Sequence, residues 1–371
     1  MTPILPGSTI GILGNGQLGR MTTQAAIRMG YNVACYGPDV APTPCGQAGA
    51  REVQGAYDDL EALATFAQSV DVMTFEFENV STAATDVASK HIPVHPAGAV
   101  LHTTQDRIRE KGALIDAGIP VARYTVVHQA RDLDGAAYPR ILKTAQSGYD
   151  GKGQKLVHNA DEADDAFTAF GGVPCVLEAL VPFLWEGSVV GARNAAGDVA
   201  LYPLVQNIHT NHILDTTLVP APLAATELQA SAAALAERIL DSLDVIGVMC
   251  IEMFITTDGT IVNELAPRPH NSGHFSIDAS ITSQFEQHLR AVLDLPLGET
   301  AGSSKYSVMI NLLGVDSEND FVKHYTMAMQ QFPNVKFHTY EKAPRLGRKM
   351  GHLTLQGNDL DQLLRDGRAC R

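Results

Sequence analysis

The chain has 371 residues, 45% of them hydrophobic and 18% charged, enough for two or three domains that each bury a core. Its formal net charge of −14 argues against a nucleic-acid surface, which needs Lys and Arg in excess along one face. The absence of a long apolar run and of a signal-peptide pattern argues against membrane insertion or export, and five scattered cysteines (Cys35, Cys45, Cys175, Cys250, Cys370) without a CxxC pair fit a reducing cytoplasm.

In chain order, STIGILGNGQLGRMTTQAAIRMGYNVACYGPD reads strand, glycine turn, helix, strand. That is a βαβ unit, and it predicts a parallel sheet with helices on its faces. VDVMTFEFENV (70–80) adds a strand, and HIPVHP (91–96) closes the unit. TTQDRIREKGALIDAG is helical and ends at Gly118. YTVVH, RILKTA, QKLVH and CVLEALV are short strands with a helix at ADEADDAFTAFG between them, a pattern that predicts a small α+β lid. EGSVVGARN and DVALYPLVQNIH read as long strands, TELQASAAALAERILDSLD as a helix, and VMCIEMFITTDGTIVNELAPR as a hairpin. The expected organisation is an N-terminal βαβ domain over 1–105, a linker helix and lid over 106–185, and a C-terminal mixed-sheet domain over 186–371.

Gly14-Asn15-Gly16-Gln17-Leu18-Gly19 matches G-x-G-x-x-G between a strand and a helix, where amides and the helix N-terminus attract anions. A dinucleotide, a phosphate-bearing substrate or a merely structural turn are all compatible with it. A dinucleotide site wants an acidic residue after the second strand, and Asp39 stands there only behind Gly37-Pro38. RILKTAQSGYDGKGQKLVH (140–158) is different in kind, a glycine-rich hairpin tip between two strands, with Lys143 in the first of them. Bare amides there can bond phosphate oxygens while the lysine supplies compensating charge; an exposed loop with incidental charge is the alternative.

Glu252 and Glu264 lie twelve positions apart, centred on Asp258 in ITTDGTI. Hairpin pairing would bring them to one face, about 5 Å apart. Two such carboxylates repel unless a proton or cation intervenes, and oxygen ligands with room for phosphates suit magnesium. Solvent-facing glutamates are the alternative, against which the apolar flanks VMCI and TIV argue. NELAPRPHNSGH follows with Asn263, Arg268, His270, Asn271, Ser272 and His274 in a polar loop; its H-x-x-x-H lacks a third ligand for zinc. His209 and His212 are either site groups or hydrogen-bonded strand histidines. The basic island KAPRLGRKMGH offers Arg345, Arg348 and Lys349 to a phosphate, or is a solvated charged face.

Taken in order, GNGQLGRM, FEFENV, QDRIREK, LKTAQSGYDGKGQ, NELAPRPHNSGH, SVMINLLG and GRKMGHL resemble the ATP-grasp superfamily and, within it, the 5-(carboxyamino)imidazole ribonucleotide synthases. The resemblance implies three domains, ATP and Mg2+, bicarbonate and aminoimidazole ribonucleotide as substrates, a cytoplasmic enzyme and a homodimer. Carried over position by position, it places ATP at Arg107, Lys143, the loop Gly148, Tyr149, Asp150, Gly151, Lys152, Gly153 and Gln154, the segment Glu178, Ala179, Leu180 and Val181, and Glu186, His209, Asn263 and Glu264. Glu252 and Glu264 become the magnesium ligands. Gly16, Gln17, Leu18, Glu76, Asn79, Tyr149, His270, Asn271, Arg345 and Lys349 become the ribonucleotide contacts, and Asp150, Arg268 and Lys349 the catalytic groups. Two rivals stay in view. Formate-dependent glycinamide ribonucleotide transformylase is similar, but GNGQLG and PHNSGH favour the carboxylating branch; a nicotinamide oxidoreductase would leave Glu252, Glu264 and the flap idle.

Overall fold

The computed structural model of the chain describes residues 2–148, 152–314 and 320–370. Its first sheet takes β1 (Thr9–Leu13), β2 (Asn32–Gly37), β3 (Arg51–Gln54) and β4 (Val72–Phe75) in the order β3-β2-β1-β4, all parallel. β1, β2 and β4 are largely apolar and buried because both their faces are covered, whereas the edge strand β3, Arg-Glu-Val-Gln, is polar and partly exposed. Ile10, Ile12, Val33 and Cys35 pack on one side with Ala26 of the helix Gln17–Arg28, while Leu13, Ala34, Tyr36 and Met73 pack on the other with Leu63 and Phe66. The strand expected over 70–80 is shorter than its sequence suggests. Pairing ends at Phe75, and HIPVHP contributes only an isolated parallel bridge, Met73 to Val94. Residues 76–80 instead leave the sheet at the carboxyl ends of its strands, the edge where open α/β sheets place their ligands.

The second sheet holds β5 (Tyr124–Val127), β6 (Arg140–Thr144), β7 (Gln154–Val157) and β8 (Cys175–Ala179) in the antiparallel order β5-β8-β6-β7. The helix Ala160–Ala169, capped by Asn159, lays Ala163, Ala166 and Phe167 on Leu142, Val157 and Leu177. That period-3.6 stripe against a period-2 face makes the predicted α+β lid.

The third sheet has nine strands: β9 (Trp185–Arg193), β10 (Val199–Leu201), β11 (Val205–Thr210), β12 (Ile213–Val219), β13 (Gly247–Thr256), β14 (Gly259–Ala266), β15 (Tyr306–Leu313), β16 (Lys336–Thr339) and β17 (Lys349–Gly357). Their order is β14-β13-β9-β11-β12-β15-β17-β16, with β10 paired to β9. Every ladder is antiparallel, and the parallel element touching it among the described residues is the bridge from Val121 to Val262. DVALYPLVQNIH is not one strand: pairing lapses over Tyr202-Pro203-Leu204, where proline cannot donate to a ladder. The alanine-rich helix Thr226–Ser242 buries Ala232, Ala236, Ile239 and Leu240 against β9 and β13. The helix Gln284–Val292 ties the first sheet to the third. His288 Nε2 lies 2.8 Å from Thr74 Oγ1, and its Nδ1 accepts the Val248 N–H at 3.1 Å.

Candidate active site

β13 and β14 turn through Thr257 and Asp258, with Thr256 opposite Gly259. That register would set Glu252 against Asn263, but a bulge intervenes between Met253 and Glu252, and Glu252 faces Glu264. The predicted carboxylate pair therefore exists. His270 Nε2 stands 3.1 Å from Glu252, and Arg107 Nη2 stands 3.1 Å from Glu264. The two carboxyls titrate in opposite directions. Burial alone would raise Glu252, but the His270 hydrogen bond and the nearby cations, Lys349 among them, hold it at about 2. Glu264 is raised, by burial first and by the Glu252 charge, against the pull of Arg107. An all-oxygen pair in which one member already suffers the charge of the other fits a hard divalent cation. Among the described residues no cluster of three His, Cys, Asp or Glu is placed to hold a metal, so further ligands would come from phosphates and water.

Lys143 projects from β6 with its Nζ 2.8 Å from Glu178 Oε2 and 3.4 Å from Asn263 Oδ1. Lys111 Nζ takes the other oxygen of Glu178 at 3.0 Å. Burial would raise the Glu178 carboxyl, but the two lysines hold it below the ordinary range. The predicted segment 178–181 thus splits: the Glu178 carboxylate is committed to lysines, whereas Leu180 is 47% exposed. Arg107 begins the helix Arg107–Asp116, capped by Asp106, and also donates to Thr144 O at 3.1 Å. Gly148 passes close to Arg107: an added Cβ would fall 2.9 Å from Nη1. Tyr149, Asp150 and Gly151 lie outside the described residues.

The first glycine turn is occupied by protein. The Glu76 carboxylate accepts the Gly16 and Gly19 N–H groups, both at 2.6 Å, and a Cβ on Gly14 would fall 2.1 Å from Glu76 Cγ. Glu76 is therefore the anion at this helix N-terminus, which removes the amides a dinucleotide pyrophosphate would use. Two residues on, Glu78 grips Arg268 through two oxygens, at 2.5 Å to Nε and 2.9 Å to Nη2. Lys342 donates to Gln17 Oε1.

These groups line two clefts. One, of about 410 Å3, is bordered by the glycine turn, Glu76 to Asn79, Arg268 and Lys342; the other, of about 330 Å3, by Arg107, Lys143, Lys152, Gln154, Glu186, His209 and Asn263. Both include Glu252, Glu264, His270, Asn271 and Lys349, so the clefts meet at the carboxylate pair. His209 Nδ1 lies 2.8 Å from Glu186 in the second cleft, and Phe183 stacks on Phe254 at 4.8 Å beside it. Arg345 borders neither cleft, and Gly148 borders a smaller space with Arg107 and Glu264. Behind the site a buried chain links Thr217, Asn207, Ser188 and Ser272 to His270 Nδ1 by contacts of 3.1, 2.9, 2.7 and 2.9 Å.

Sequence reasoning missed Glu78, Lys111, Lys342 and Phe183. Lys342 opens the basic island already singled out, and Lys111 follows Arg107 by one helical turn, so both carried a signal. Glu78 stands inside FEFENV between two positions already assigned; Phe183 carried none.

A four-stranded lid with a strand lysine, set over a sheet whose hairpin carries paired carboxylates, defines an ATP-grasp protein. Residues 112–285 match the ATP-grasp domain, 7–105 the ribonucleotide synthetase preATP-grasp domain, and 307–366 the phosphoribosylaminoimidazole carboxylase C-terminal domain. The N5-carboxyaminoimidazole ribonucleotide synthase of Bacillus subtilis is 40% identical over 369 residues, 98% of this chain and 95% of that protein. The chain belongs to the N5-carboxyaminoimidazole ribonucleotide synthase family of ATP-grasp ligases. A crystal structure of an N5-carboxyaminoimidazole ribonucleotide synthetase in its ADP complex superposes with a TM-score of 0.93 at 40% identity, covering 100% of this chain and 98% of that one. The Aspergillus clavatus synthase in complex with ADP and 5-aminoimidazole ribonucleotide superposes at 0.90 with 28% identity, covering 98% and 97%.

Proposed function

We propose that this enzyme carboxylates 5-aminoimidazole ribonucleotide with bicarbonate, converting ATP to ADP and phosphate. The meeting of two polar clefts at Glu252 and Glu264 carries this reading, because phosphoryl transfer and amine capture must share one small volume. Bicarbonate is a poor electrophile. Transfer of the γ-phosphoryl group to one of its oxygens, with ADP leaving, gives carboxyphosphate. The ribonucleotide amine then bonds to the carboxyl carbon, phosphate departs with the C–O electron pair, and the amine loses a proton.

Phosphoryl transfer is mostly positioning and charge neutralisation. Lys143 and Arg107 would hold the phosphates of ATP in the second cleft, with His209 and Glu186 toward the nucleoside. Glu252 and Glu264 would hold Mg2+, which when bound offsets the charge of the phosphates. Arg268, oriented by Glu78, would face the reacting carboxyl group. Glu76 and the glycine turn would meet the ribose of the acceptor, and Lys342 and Lys349 its phosphate. Asp150, assigned from sequence alone, would take the amine proton, and the flap would close over carboxyphosphate to exclude water. The glycinamide and nicotinamide alternatives are less well served, the second because Glu76 fills the dinucleotide turn.

Coupled phosphate-release assays test the reading. Release should require bicarbonate and aminoimidazole ribonucleotide together. Release that responds instead to glycinamide ribonucleotide with formate, or ignores both acceptors, would overturn it. The homodimer implied by resemblance is tested by light scattering on the eluting enzyme.

A further inference from the structure

Lys111 is 1% exposed, on the helix Arg107–Asp116, and among the described residues lines neither cleft; its ion pair is with Glu178. Its ammonium lies 3.0 Å from one Glu178 oxygen, while Lys143 lies 2.8 Å from the other. The three side chains are 1%, 3% and 8% exposed. Burying a third charge is costly when Lys143 and Glu178 already form a balanced pair. A balanced pair, however, presents little net field to an anion. Two ammonium groups on one carboxylate leave one net positive charge, and Lys143 is the member that borders the second cleft.

We infer that Lys111 is a positioning residue for the nucleotide, holding Glu178 so that this carboxylate orients Lys143 without cancelling its charge. The inference rests on the proposed nucleotide reading of the second cleft. Its role is electrostatic and reaches the phosphates through Lys143, so nucleoside binding should be indifferent to it.

The test is calorimetry with Mg·ADP and with adenosine on the full chain. Lys111→Met keeps the volume and apolar stem but removes the charge. It should bind ADP about tenfold more weakly while adenosine affinity stays within about twofold of the parent, since one unit charge is lost at close range. Lys111→Arg should recover most of the ADP affinity. Adding Glu178→Gln to Lys111→Met frees the Lys143 charge again and should recover part of it, even if the single variant is destabilised. Unchanged ADP affinity in Lys111→Met, or equal losses for ADP and adenosine, would overturn the inference. A parent chain that fails to bind ADP would overturn the nucleotide reading itself, and this inference with it.

Discussion

Replacing Glu264 with Gln separates a cation site from an ordinary ion-pair network. The register of β13 and β14 sets Glu252 opposite Glu264, a cross-strand placement that sets their Cβ atoms ~5 Å apart. Two unit charges at that distance repel by ~3 kcal/mol at an effective dielectric near 20. Arg107 offsets part of this at 3.1 Å from Glu264, but that pair is 16% and 39% exposed, and pairs of that kind contribute ~1 kcal/mol or less. A Gln at 264 still offers Arg107 an oxygen. Without ligand, the variant should therefore be as stable as the parent or slightly more so. Mg·ADP binding should move the opposite way. Loss even of a residue that only supports a metal ligand costs ~10–100-fold in affinity, so loss of a direct ligand should cost at least that. Thermal unfolding with and without Mg·ADP reads both effects. At a ligand concentration of about 100 Kd the parent gains ~2.7 kcal/mol, and a hundredfold weaker variant keeps only ~0.4 kcal/mol. A variant that retains the full ligand-dependent gain, or that loses several kcal/mol without ligand, would refute the cation assignment.

Four further outcomes are expected. Glu76→Gln sets an amide NH2 against one of the Gly16 and Gly19 N–H groups, costing ~1–3 kcal/mol in urea unfolding; steady-state kinetics should show a higher KM for the ribonucleotide and an unchanged KM for ATP. Glu110 is raised to about 8 by burial and then by Glu264, against an ordinary 4.5, so the folded chain keeps a proton that the unfolded chain has lost and stability falls as pH rises between those values. Glu110→Gln still accepts the Leu265 N–H, so metal-free melting temperatures should match the parent near pH 4.5 and exceed it near pH 8; a gap constant with pH counts against this. Asn207→Leu removes the Asn207 partner of the buried Thr217 hydroxyl and leaves Ser188 only its Ser272 contact, costing ~1–3 kcal/mol for the stranded Thr217 group, measurable as a lower urea midpoint. Asp150→Asn should depress carboxylation far more than ATP binding, and equal losses in the two assays would end its role as base.

Legibility followed locality. The βαβ unit, the lid strands and the helix Thr226–Ser242 were readable because each carries its own periodicity within a short window. The strand over 70–80 was overextended because an alternating apolar pattern continues through Phe75 and Phe77, while the chain in fact leaves the sheet so that Glu76 can reach the glycine turn. Periodicity reports burial and is blind to such a tertiary hydrogen bond. The same blindness hid Glu78, whose partner Arg268 is 190 residues away, and the commitment of Glu178 to Lys111. Charged residues at the buried junction of three sheets have no local signature, since their solvation is replaced by groups remote in sequence. The glycine turn shows the reverse case, a local motif whose partner only the tertiary structure supplies. Its motif was correctly placed between strand and helix, yet the anion it attracts is a side chain of the same protein.

The carboxylate hairpin is the instructive case, because its outcome was read correctly from an incomplete geometry. Twelve positions centred on Asp258 predict Glu252 opposite Glu264 only if the turn is symmetrical about that residue. The actual turn is tighter, through Thr257 and Asp258, and its register alone would oppose Glu252 to Asn263. A regular ladder would then send Glu264 to the other face, because a one-residue slip reverses every side chain. The bulge instead makes Asn263 and Glu264 together oppose the single residue Glu252. Adjacent residues of a regular strand cannot share a face; here Glu252, Asn263 and Glu264 all border one cleft, and Asn263 meets Lys143 from the lid. One inserted residue thus supplies both the opposed carboxylates and the polar contact that joins hairpin to lid, and this is why the carboxylate face and the lysine of the lid converge on the same point.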